Sequence, residues 1–295
     1  MNILCYGSLN IDCVYKVPHI VRPGETISSC EYSEFPGGKG ANQAVAAARA
    51  GAMVFHAGKI GRDGIFLRDV LVAEGIDTAN VAVDPEIHSG RAIIQVEVSG
   101  AENAIVLFPG TNQAISREDI DTVLAKFGQD TMLILQNEIS HVPYLIEKAK
   151  KSGLKVCFNP APFNPEIKGY PLKMLDIIVL NEIEAEGLSG ESDPEKIILA
   201  LSNLLPETEI VLTLGAKGAL YSYRGESLIV PAEKVKAVDT TAAGDTFIGY
   251  FIAGKTAGLS AEQSLKNACR AAAITVTRPG AIPSIPFASE LRSCE

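Results

Sequence analysis

Two turns of small residues, each followed by a helix-forming stretch, hold most of the chemistry that this sequence suggests. The second turn, residues 238–247, reads Val-Asp-Thr-Thr-Ala-Ala-Gly-Asp-Thr-Phe and leads into an apolar stretch from Ile248 to Ala253. Because the first N–H groups of a helix lack intrahelical partners, residues 242–244 predict an anion hole for phosphate oxygens. Asp245 would stand beside that hole, where its carboxylate could accept a proton from a hydroxyl group. The alternative is that Asp245 only complements the helix dipole.

The first turn, residues 35–44, reads Phe-Pro-Gly-Gly-Lys-Gly-Ala-Asn-Gln-Ala. Its glycines allow the backbone to approach a ligand closely, and the start of the following helix offers unpaired N–H groups. Lys39 and Asn42 could add donors for hydroxyl groups. The turn matches neither G-x-x-x-x-G-K-[ST] nor G-x-G-x-x-G, because Gln43 occupies the last glycine position. The alternative is an ordinary turn before a helix.

Further polar residues follow predicted strands. Asn10 and Asp12 follow the first strand, where a carboxylate could accept two hydroxyl groups, and Glu138 follows the strand from Met132 to Leu135. In open α/β sheets, ligands bind outside the carboxyl ends of the strands. Glu138 therefore becomes a candidate ligand-binding residue, although a solvated surface glutamate would look the same in the sequence.

Short apolar runs alternate with helix-period segments along most of the chain, which predicts a doubly wound α/β sheet. The runs predicted as buried strands are Ile3–Gly7, Met132–Leu135, Lys155–Phe158, Asp176–Leu180 and Glu209–Thr213. The segments predicted as helices are Ala41–Ala50, Ile65–Glu74, Val142–Lys151 and Ile197–Leu205.

Two stretches depart from this alternation, residues 13–33 and residues 91–108. The latter predicts a β-hairpin around a turn rich in Gly and Asn. We interpret both as antiparallel strands of a small lid or dimer-forming sheet, built from about 13–35 and 91–108 within a single domain of residues 1–295. An ordinary sheet edge is the alternative.

The overall composition excludes several classes of function. A net charge of -9 and a pI near 5.1 argue against nucleic-acid binding. The six cysteines are scattered without a C-x-x-C pair, which argues against a zinc or iron–sulfur site. No apolar stretch approaches the ~18 residues of a membrane span, and no secretory signal precedes the first strand. We therefore expect no membrane contact and a cytoplasmic protein.

The two turns together resemble the paired signatures of the ribokinase-type (PfkB) carbohydrate kinases. In that family the first signature is a Gly-Gly turn ending in Asn, and the second is Asp-Thr-x-x-Ala-Gly-Asp. Residues 7–12, 159–162 and 181–186 also look like this family, and the resemblance runs from Leu4 to about Pro286. It implies a three-layer α/β sandwich with a mostly parallel central sheet, plus a β lid that doubles as a homodimer interface.

Within the family, the sequence after the Gly-Gly pair and Ala242 before Ala243 are most similar to members that phosphorylate ribose on its primary 5-hydroxyl. Asp245 would then be the catalytic base in transfer of a phosphoryl group from ATP. A kinase for another sugar or a nucleoside stays open as an alternative, as does a non-catalytic sugar-sensing protein on the same fold. The resemblance implies a sugar site made by Asn10, Asp12, Gly38, Lys39, Asn42, Glu138 and Asp245.

The resemblance also implies roles for nucleotide and metal binding. The residues matching the nucleotide site are Asn181, Thr213, Gly215, Ala216, Gly218, Ala243, Gly244 and Cys269. Glu184 would act on magnesium through water, which suits a hard cation that keeps its waters. A potassium site beside the anion hole would use Asp239, Thr241, Thr275, Arg278, Gly280 and Ser284, although Pro279 stands where the family commonly has Lys.

Overall fold

The computed structural model describes residues 1–99 and 102–291, and its centre is a nine-stranded sheet. Seven neighbouring strands are parallel, and a hairpin adds two antiparallel strands at one edge. From edge to edge the strands are β13 (Glu226–Val230), β12 (Ala219–Tyr223), β11 (Glu209–Thr213), β10 (Ile177–Asn181), β9 (Lys155–Asn159), β8 (Thr131–Gln136), β1 (Asn2–Tyr6), β4 (Val54–Gly61) and β5 (Asp77–Asp84).

Helices cover both faces of this sheet. One face carries α1 (Lys39–Arg49), α2 (Ile65–Ala73), α7 (Ala243–Thr256) and α8 (Ala261–Thr275), with the short α9 (Ala288–Leu291) against α8. The other carries α3 (Arg117–Leu124), α4 (Val142–Lys151), α5 (Glu182–Ser189) and α6 (Pro194–Leu204). Strand β1 is buried on both faces, since Ile3 belongs to the first core and Leu4 to the second. This double burial explains why its sequence is continuously apolar.

A second sheet of four strands stands apart from the central one. Its strands are β2 (Asn10–Val17), β3 (Glu31–Gly37), β6 (Gly90–Glu97) and β7 (Asn103–Phe108), in the order β3-β2-β6-β7. The pairs β2–β3 and β6–β7 are antiparallel, whereas the central pair β2–β6 is parallel. The small sheet is therefore mixed, because two separate hairpins meet side by side.

The predicted fold class is confirmed: a mostly parallel sheet lies between two helical layers, with a smaller sheet beside it. The small sheet differs from the prediction in two respects, since β2 already begins at Asn10 and its pairing with β6 is parallel. The predicted hairpin turn includes residues 100 and 101, which lie outside the described residues. The assignment of residues 1–295 to one domain with a lid stays a prediction.

Strands β4 and β5 and the hairpin β12–β13 are absent from the sequence prediction. Strand β4 contains His56, Gly58 and Lys59, which interrupt its apolar pattern, and β5 is an edge strand with several exposed residues. Helix α6 begins three residues before the predicted Ile197, because Asp193 caps it through Glu195 N and Lys196 N. In the described part of the chain, no helix is both long and apolar enough to cross a membrane.

Candidate active site

The candidate site lies where the order of the central sheet reverses direction. Strand β1 lies between β4, which follows it in the chain on one side, and β8 on the other side. The connections after β1 and β8 therefore diverge at the carboxyl edge of the sheet, where α/β folds form a ligand crevice. Ser8 follows β1 and Glu138 follows β8, and the Ser8 hydroxyl donates a hydrogen bond to Glu138.

The Gly-Gly turn between β3 and α1 packs directly on the loop after β1. Gly38 has a φ of 95°, which favours glycine, and a Cβ built on Gly40 would lie 2.5 Å from Ser8 N. The prediction that the start of α1 offers free N–H groups is wrong for three of them. Lys39 N donates to Glu138, while Gly40 N and Ala41 N donate to the side chain and carbonyl of Ser8. This helix start therefore positions side chains rather than binding an anion itself.

Asp245 is held by two amide groups from the first turn. Its Oδ2 accepts from Asn42 Nδ2 at 3.0 Å and its Oδ1 accepts from Gln43 Nε2 at 2.9 Å. Asp245 is buried in the first turn of α7, which begins after Ala242 in a left-handed conformation (φ 59°). Asn42 keeps a buried Oδ1 without a partner among the described residues, so an acceptor is available to a ligand hydroxyl. The two turns singled out in the sequence thus form one site.

The amide of Gln43 extends this contact to the ends of two further strands, β8 and β9. Gln43 Oε1 accepts from Gln136 Nε2 at 2.7 Å, and Gln43 Nε2 lies 3.4 Å from Asn159 Oδ1. Asn159 Nδ2 donates to Val179 O at 3.0 Å and lies 3.4 Å from Glu184 Oε2. Asn159, at the end of β9, therefore connects Gln43 and Asp245 with Glu184, while Gln136, at the end of β8, supports the Gln43 amide.

Asn10 and Asp12 reach the same site from the small sheet. They are two residues apart on β2, so their side chains share one face, while Ile11 between them is buried in the core. The space for Asp12 exists because residue 37 has no side chain: a Cβ there would lie 2.1 Å from Asp12 Oδ2. Asp12, Glu138 and Asp245 lie close enough to Lys39 for their charges to act on it, so they share the space around that side chain. The sugar-binding role of the predicted residues stays a prediction.

Negative charge dominates this space. Lys39 is under the influence of four carboxylates, and the charge of Asp245, followed by those of Glu138, Glu184 and Asp12, raises the pKa of Lys39 against its partial burial. Burial, followed by the charges of Glu138 and Asp245, raises the pKa of Asp12 to about 7, while Lys39 lowers it. Burial also raises the pKa of Glu138 and of Glu184. A polyanionic ligand would therefore need a cation to enter this site.

A cleft of about 210 Å³ opens beside Asp245. Gly244, at the start of α7, lines it, and helix-start N–H groups without intrahelical partners suit an anion. One of these N–H groups already has an acceptor, because Ala243 N donates a long hydrogen bond of 3.3 Å to Thr240 O. The predicted site residues among those lining the cleft are Lys39, Asn181, Glu184, Thr213, Gly244 and Asp245.

The other predicted nucleotide residues lie further out. Gly215 and Ala216 form a short 3-10 turn after β11, and Gly218 ends it, so this turn adjoins Thr213 without lining the cleft. Cys269 is buried in α8 as part of the apolar core. It is not among the described residues that line the cleft. The part that these residues and Cys269 play in nucleotide binding stays a prediction.

Asn181 and Glu184 form a reciprocal cap at the start of α5. Asn181 Oδ1 accepts from Glu184 N at 2.9 Å, while Glu184 accepts from Asn181 N at 3.0 Å and Asn181 Nδ2 at 2.9 Å. Both carboxylate oxygens of Glu184 are therefore already hydrogen-bonded. That arrangement fits a carboxylate acting on a hydrated magnesium ion through water.

The six predicted potassium residues come from two loops and α8 that the structure brings together. Asp239 Oδ2 accepts from Gly280 N at 2.8 Å, and Asp239 Oδ1 accepts from Thr241 N at 2.9 Å. Thr275 and Ser284 are fully buried, whereas the Arg278 side chain pairs with Glu290. Carbonyl and hydroxyl oxygens suit a hard cation. Among residues 1–99 and 102–291, no group of three or more His, Cys, Asp or Glu side chains is arranged to hold a metal ion.

The sequence analysis gave no role in the site to several of its residues. Gln43, Gln136 and Asn159 carry the buried network, and Asn112 binds the side chain of Asn10. A polar residue at the end of an otherwise apolar strand, as in β8 and β9, was a signal for Gln136 and Asn159. The position of Asn112 carried no comparable signal, since its turn looks like any loop of small polar residues.

Comparison with known proteins agrees with this geometry. A family model described as pfkB family carbohydrate kinase matches residues 1–288. The chain is 40% identical over 292 residues to ribokinase of Haemophilus influenzae, covering 96% of this chain and 95% of that protein. The ribokinase of Cryptococcus neoformans with ADP superposes with a TM-score of 0.87 at 36% identity, covering 99% and 98%. The ribokinase of Arabidopsis thaliana with ribose and ATP gives 0.86 at 28%, covering 98% and 97%.

The buried amide of Gln43 should be important for stability. Gln43→Leu leaves Gln136 Nε2 with only the weak acceptor Cys5 Sγ, at 3.7 Å, and removes the donor to Asp245 Oδ1. Each unsatisfied buried group costs about 1–3 kcal/mol, so the free energy of unfolding should fall by roughly 2–4 kcal/mol in a urea titration. The control is Gln129→Leu at an exposed position, which should change it by less than ~0.5 kcal/mol. Equal stability of the two variants would contradict the importance of the network.

Proposed function

This chain belongs to the pfkB family of carbohydrate kinases, and from that premise we propose that it transfers the γ-phosphoryl group of ATP to the primary 5-hydroxyl of D-ribose. The observation that carries the proposal is the position of Asp245. Its carboxylate is buried, oriented by Asn42 and Gln43, and adjacent to the cleft-lining N–H end of α7. A general base and an anion hole are thus within one helical turn of each other.

Ribose is supported by the relatives and by the polar character of the site. The similar proteins of Haemophilus influenzae and Arabidopsis thaliana are named ribokinases, the latter with ribose and ATP. Asp12 and the free Oδ1 of Asn42 are acceptors for hydroxyl groups, and Lys39 is a donor. Such a set suits a small unphosphorylated polyol, whereas a sugar phosphate would be repelled by the surrounding carboxylates.

In the proposed mechanism Asp245 accepts the proton of the primary hydroxyl while that oxygen attacks the γ-phosphorus in line with the leaving group. Asn42 and Gln43 keep the carboxylate in one orientation, so little reorganisation is needed before the proton moves. N–H groups of residues 242–244 stabilise the negative charge that develops on the transferred phosphoryl oxygens. Closure of the small sheet over the sugar would exclude water and limit ATP hydrolysis.

Magnesium and potassium complete the proposal. Because four carboxylates surround Lys39, the site repels a triphosphate that carries no metal ion. A divalent cation near Glu184 would neutralise the phosphate oxygens. We place potassium at the junction of the two loops joined by Asp239 and Gly280, with Thr241, Thr275, Arg278 and Ser284 contributing oxygens of side chain or backbone. There it would add positive charge beside the anion hole.

We further propose that the small sheet joins two copies of the chain. Strand β7 is an edge strand whose successive side chains point to opposite faces, yet Ile105, Val106, Leu107 and Phe108 are all about half exposed. An exposed apolar edge strand needs a cover or a pairing partner. A cytoplasmic location fits the chain as well, because the five cysteines of the described residues are unpaired, as in a reducing compartment.

Two alternative functions use the same fold and the same site. A kinase for another sugar or a nucleoside would use the same base and anion hole and differ in the groups around the acceptor. A non-catalytic sugar-sensing protein is disfavoured, because Asp245 and the turn before it are intact and assembled.

The direct test is an ADP-coupled assay with ribose, deoxyribose, fructose and adenosine, with and without Mg²⁺ and K⁺. We expect ribose to give the highest kcat/KM, with turnover requiring Mg²⁺ and rising with K⁺. Asp245→Asn is the matched variant: Asn42 can turn its amide to accept from the new NH2 group, so the fold should persist while kcat falls about 10²–10⁴-fold. Near-normal turnover by this variant would contradict the mechanism, and preference for another compound would contradict the assignment of ribose.

The sugar affinity should depend on the ionisation of Asp12. Its pKa near 7 in the free protein means that the hydroxyl-accepting carboxylate form is depleted below neutral pH. The kcat/KM for ribose should therefore rise about tenfold per pH unit below about 7 and level off above it. Asp12→Asn should lower kcat/KM about 100-fold and remove this inflection, whereas kcat/KM for ATP at saturating ribose should lack it in both proteins. An inflection that persists in Asp12→Asn would exclude this residue as its source.

Dimer formation can be tested by size-exclusion chromatography with light scattering. Val106→Glu and Leu107→Glu place a charge on opposite faces of β7, so at least one should convert a dimer into a monomer. Leu199→Glu, at an equally exposed position on α6, should leave the dimer intact. A monomeric unsubstituted protein at micromolar concentration would contradict the proposal.

A further inference from the structure

The short turn after β7, Gly110–Gln113, contacts the sugar site through a residue to which nothing above gives a part in the reaction. Asn112 is 2% exposed, and its side chain lies between the loop after β1 and Asn10. Its Oδ1 accepts from Leu9 N at 3.1 Å, and its Nδ2 donates to Asn10 Oδ1 at 2.7 Å and faces Leu9 O at 3.4 Å. Every polar atom of this side chain is therefore engaged by the residues around Asn10.

These contacts determine the orientation of two amides in turn. The Leu9 N–H group can only donate, so the oxygen of Asn112 must face it, and the NH2 group of Asn112 must face Asn10. Two NH2 groups cannot hydrogen-bond to each other, so Asn10 must present its oxygen to Asn112. The NH2 group of Asn10 is then left for a ligand, which makes Asn10 a hydrogen-bond donor in the site.

The surroundings hold Asn112 in place. A Cβ built on Gly90 would lie 2.2 Å from both Asn10 Oδ1 and Asn112 Nδ2, so the bond between the two amides exists only because residue 90 is glycine. The backbone of the turn is anchored as well: Ser140 N donates to Asn112 O at 3.0 Å, and Thr111 Oγ1 donates to Lys59 O at 2.8 Å. Rotation of the Asn112 amide would break contacts on two sides at once.

We propose that Asn112 is a positioning residue, which fixes the amide of Asn10 so that its NH2 group is offered to a hydroxyl oxygen of the sugar. The proposal deepens the proposed function and rests on it, since Asn10 belongs to the sugar site assigned there. Asn10 then supplies a donor, while Asn42 Oδ1 and Asp12 supply acceptors. A sugar hydroxyl both donates and accepts, so this mixed set recognises a polyol better than acceptors alone.

Asn112→Asp tests the inference with almost no change of shape. One carboxylate oxygen still accepts from Leu9 N, but the other faces Asn10 and demands a donor, so Asn10 turns its NH2 group inward and shows its oxygen to the sugar. The KM for ribose and the calorimetric Kd without ATP should both rise about 10–100-fold, with the KM for ATP within about threefold of its original value. Asn112→Ala, which adds no charge, frees Asn10 to take either orientation and should raise the KM for ribose about 3–10-fold.

Asn203→Asp is the control for added charge, because it makes the same change at an exposed position on α6, away from the sugar site. It should change the Kd for ribose by less than about threefold. The turnover of the unsubstituted protein tests the proposed function, and the ratios between variants test Asn112, so the two can fail separately. The inference is overturned if folded Asn112→Asp or Asn112→Ala binds ribose as the unsubstituted protein does, or if ATP affinity falls by the same factor.

Discussion

The pair of hydrogen bonds from Asn42 and Gln43 to the carboxylate of Asp245 is the interaction on which the site depends. It joins residues 203 and 202 positions apart and ties the start of α1 to the start of α7. The two helices approach closely enough for this because residue 249 of α7 is glycine, where a Cβ would lie 2.4 Å from Ala46 Cβ. Helix packing therefore sets the direction of the carboxylate, and the carboxylate sets where a hydroxyl group must lie to lose its proton.

The second constraint is the concentration of negative charge around Lys39. Four carboxylates in one space are costly unless each is hydrogen-bonded, and here backbone or amide N–H groups reach Asp245, Glu138 and Glu184. The remaining one, Asp12, keeps a raised pKa because burial and its neighbours disfavour its charged form. Such a site gains most from ligands that bring hydroxyl donors and cations, which is the chemistry of a sugar and a metal-bound nucleotide.

The buried amides, like the charges, determine which groups of a ligand the site can bind. Asn112 orients Asn10 because the Leu9 N–H group can only donate, which leaves the Asn112 amide a single arrangement. Gln43 holds Asp245 because a carboxylate can only accept, so the NH2 group of Gln43 must face it. These side chains do not need to touch the reacting atoms. They make the donors and acceptors that face the ligand unambiguous, so binding requires little rearrangement.

The sequence by itself determined the class of fold and the two turns, because alternating apolar runs and helix-period segments are local patterns, and glycine and small residues before a helix have local meaning. It also singled out Asp245, Asn42, Asp12 and Glu138 as residues that could share a site. It did not reveal β4, β5 or the parallel pairing of β2 with β6, since polar interruptions hide a buried strand and pairing joins distant residues. Only the tertiary structure decided that α1 uses its N–H groups internally, that Cys269 is a core residue, and that Asn112 and Gln43 orient the site. The physical reason is that hydrogen bonds between side chains far apart in sequence leave no periodic trace in the chain and exist only once packing brings their atoms together.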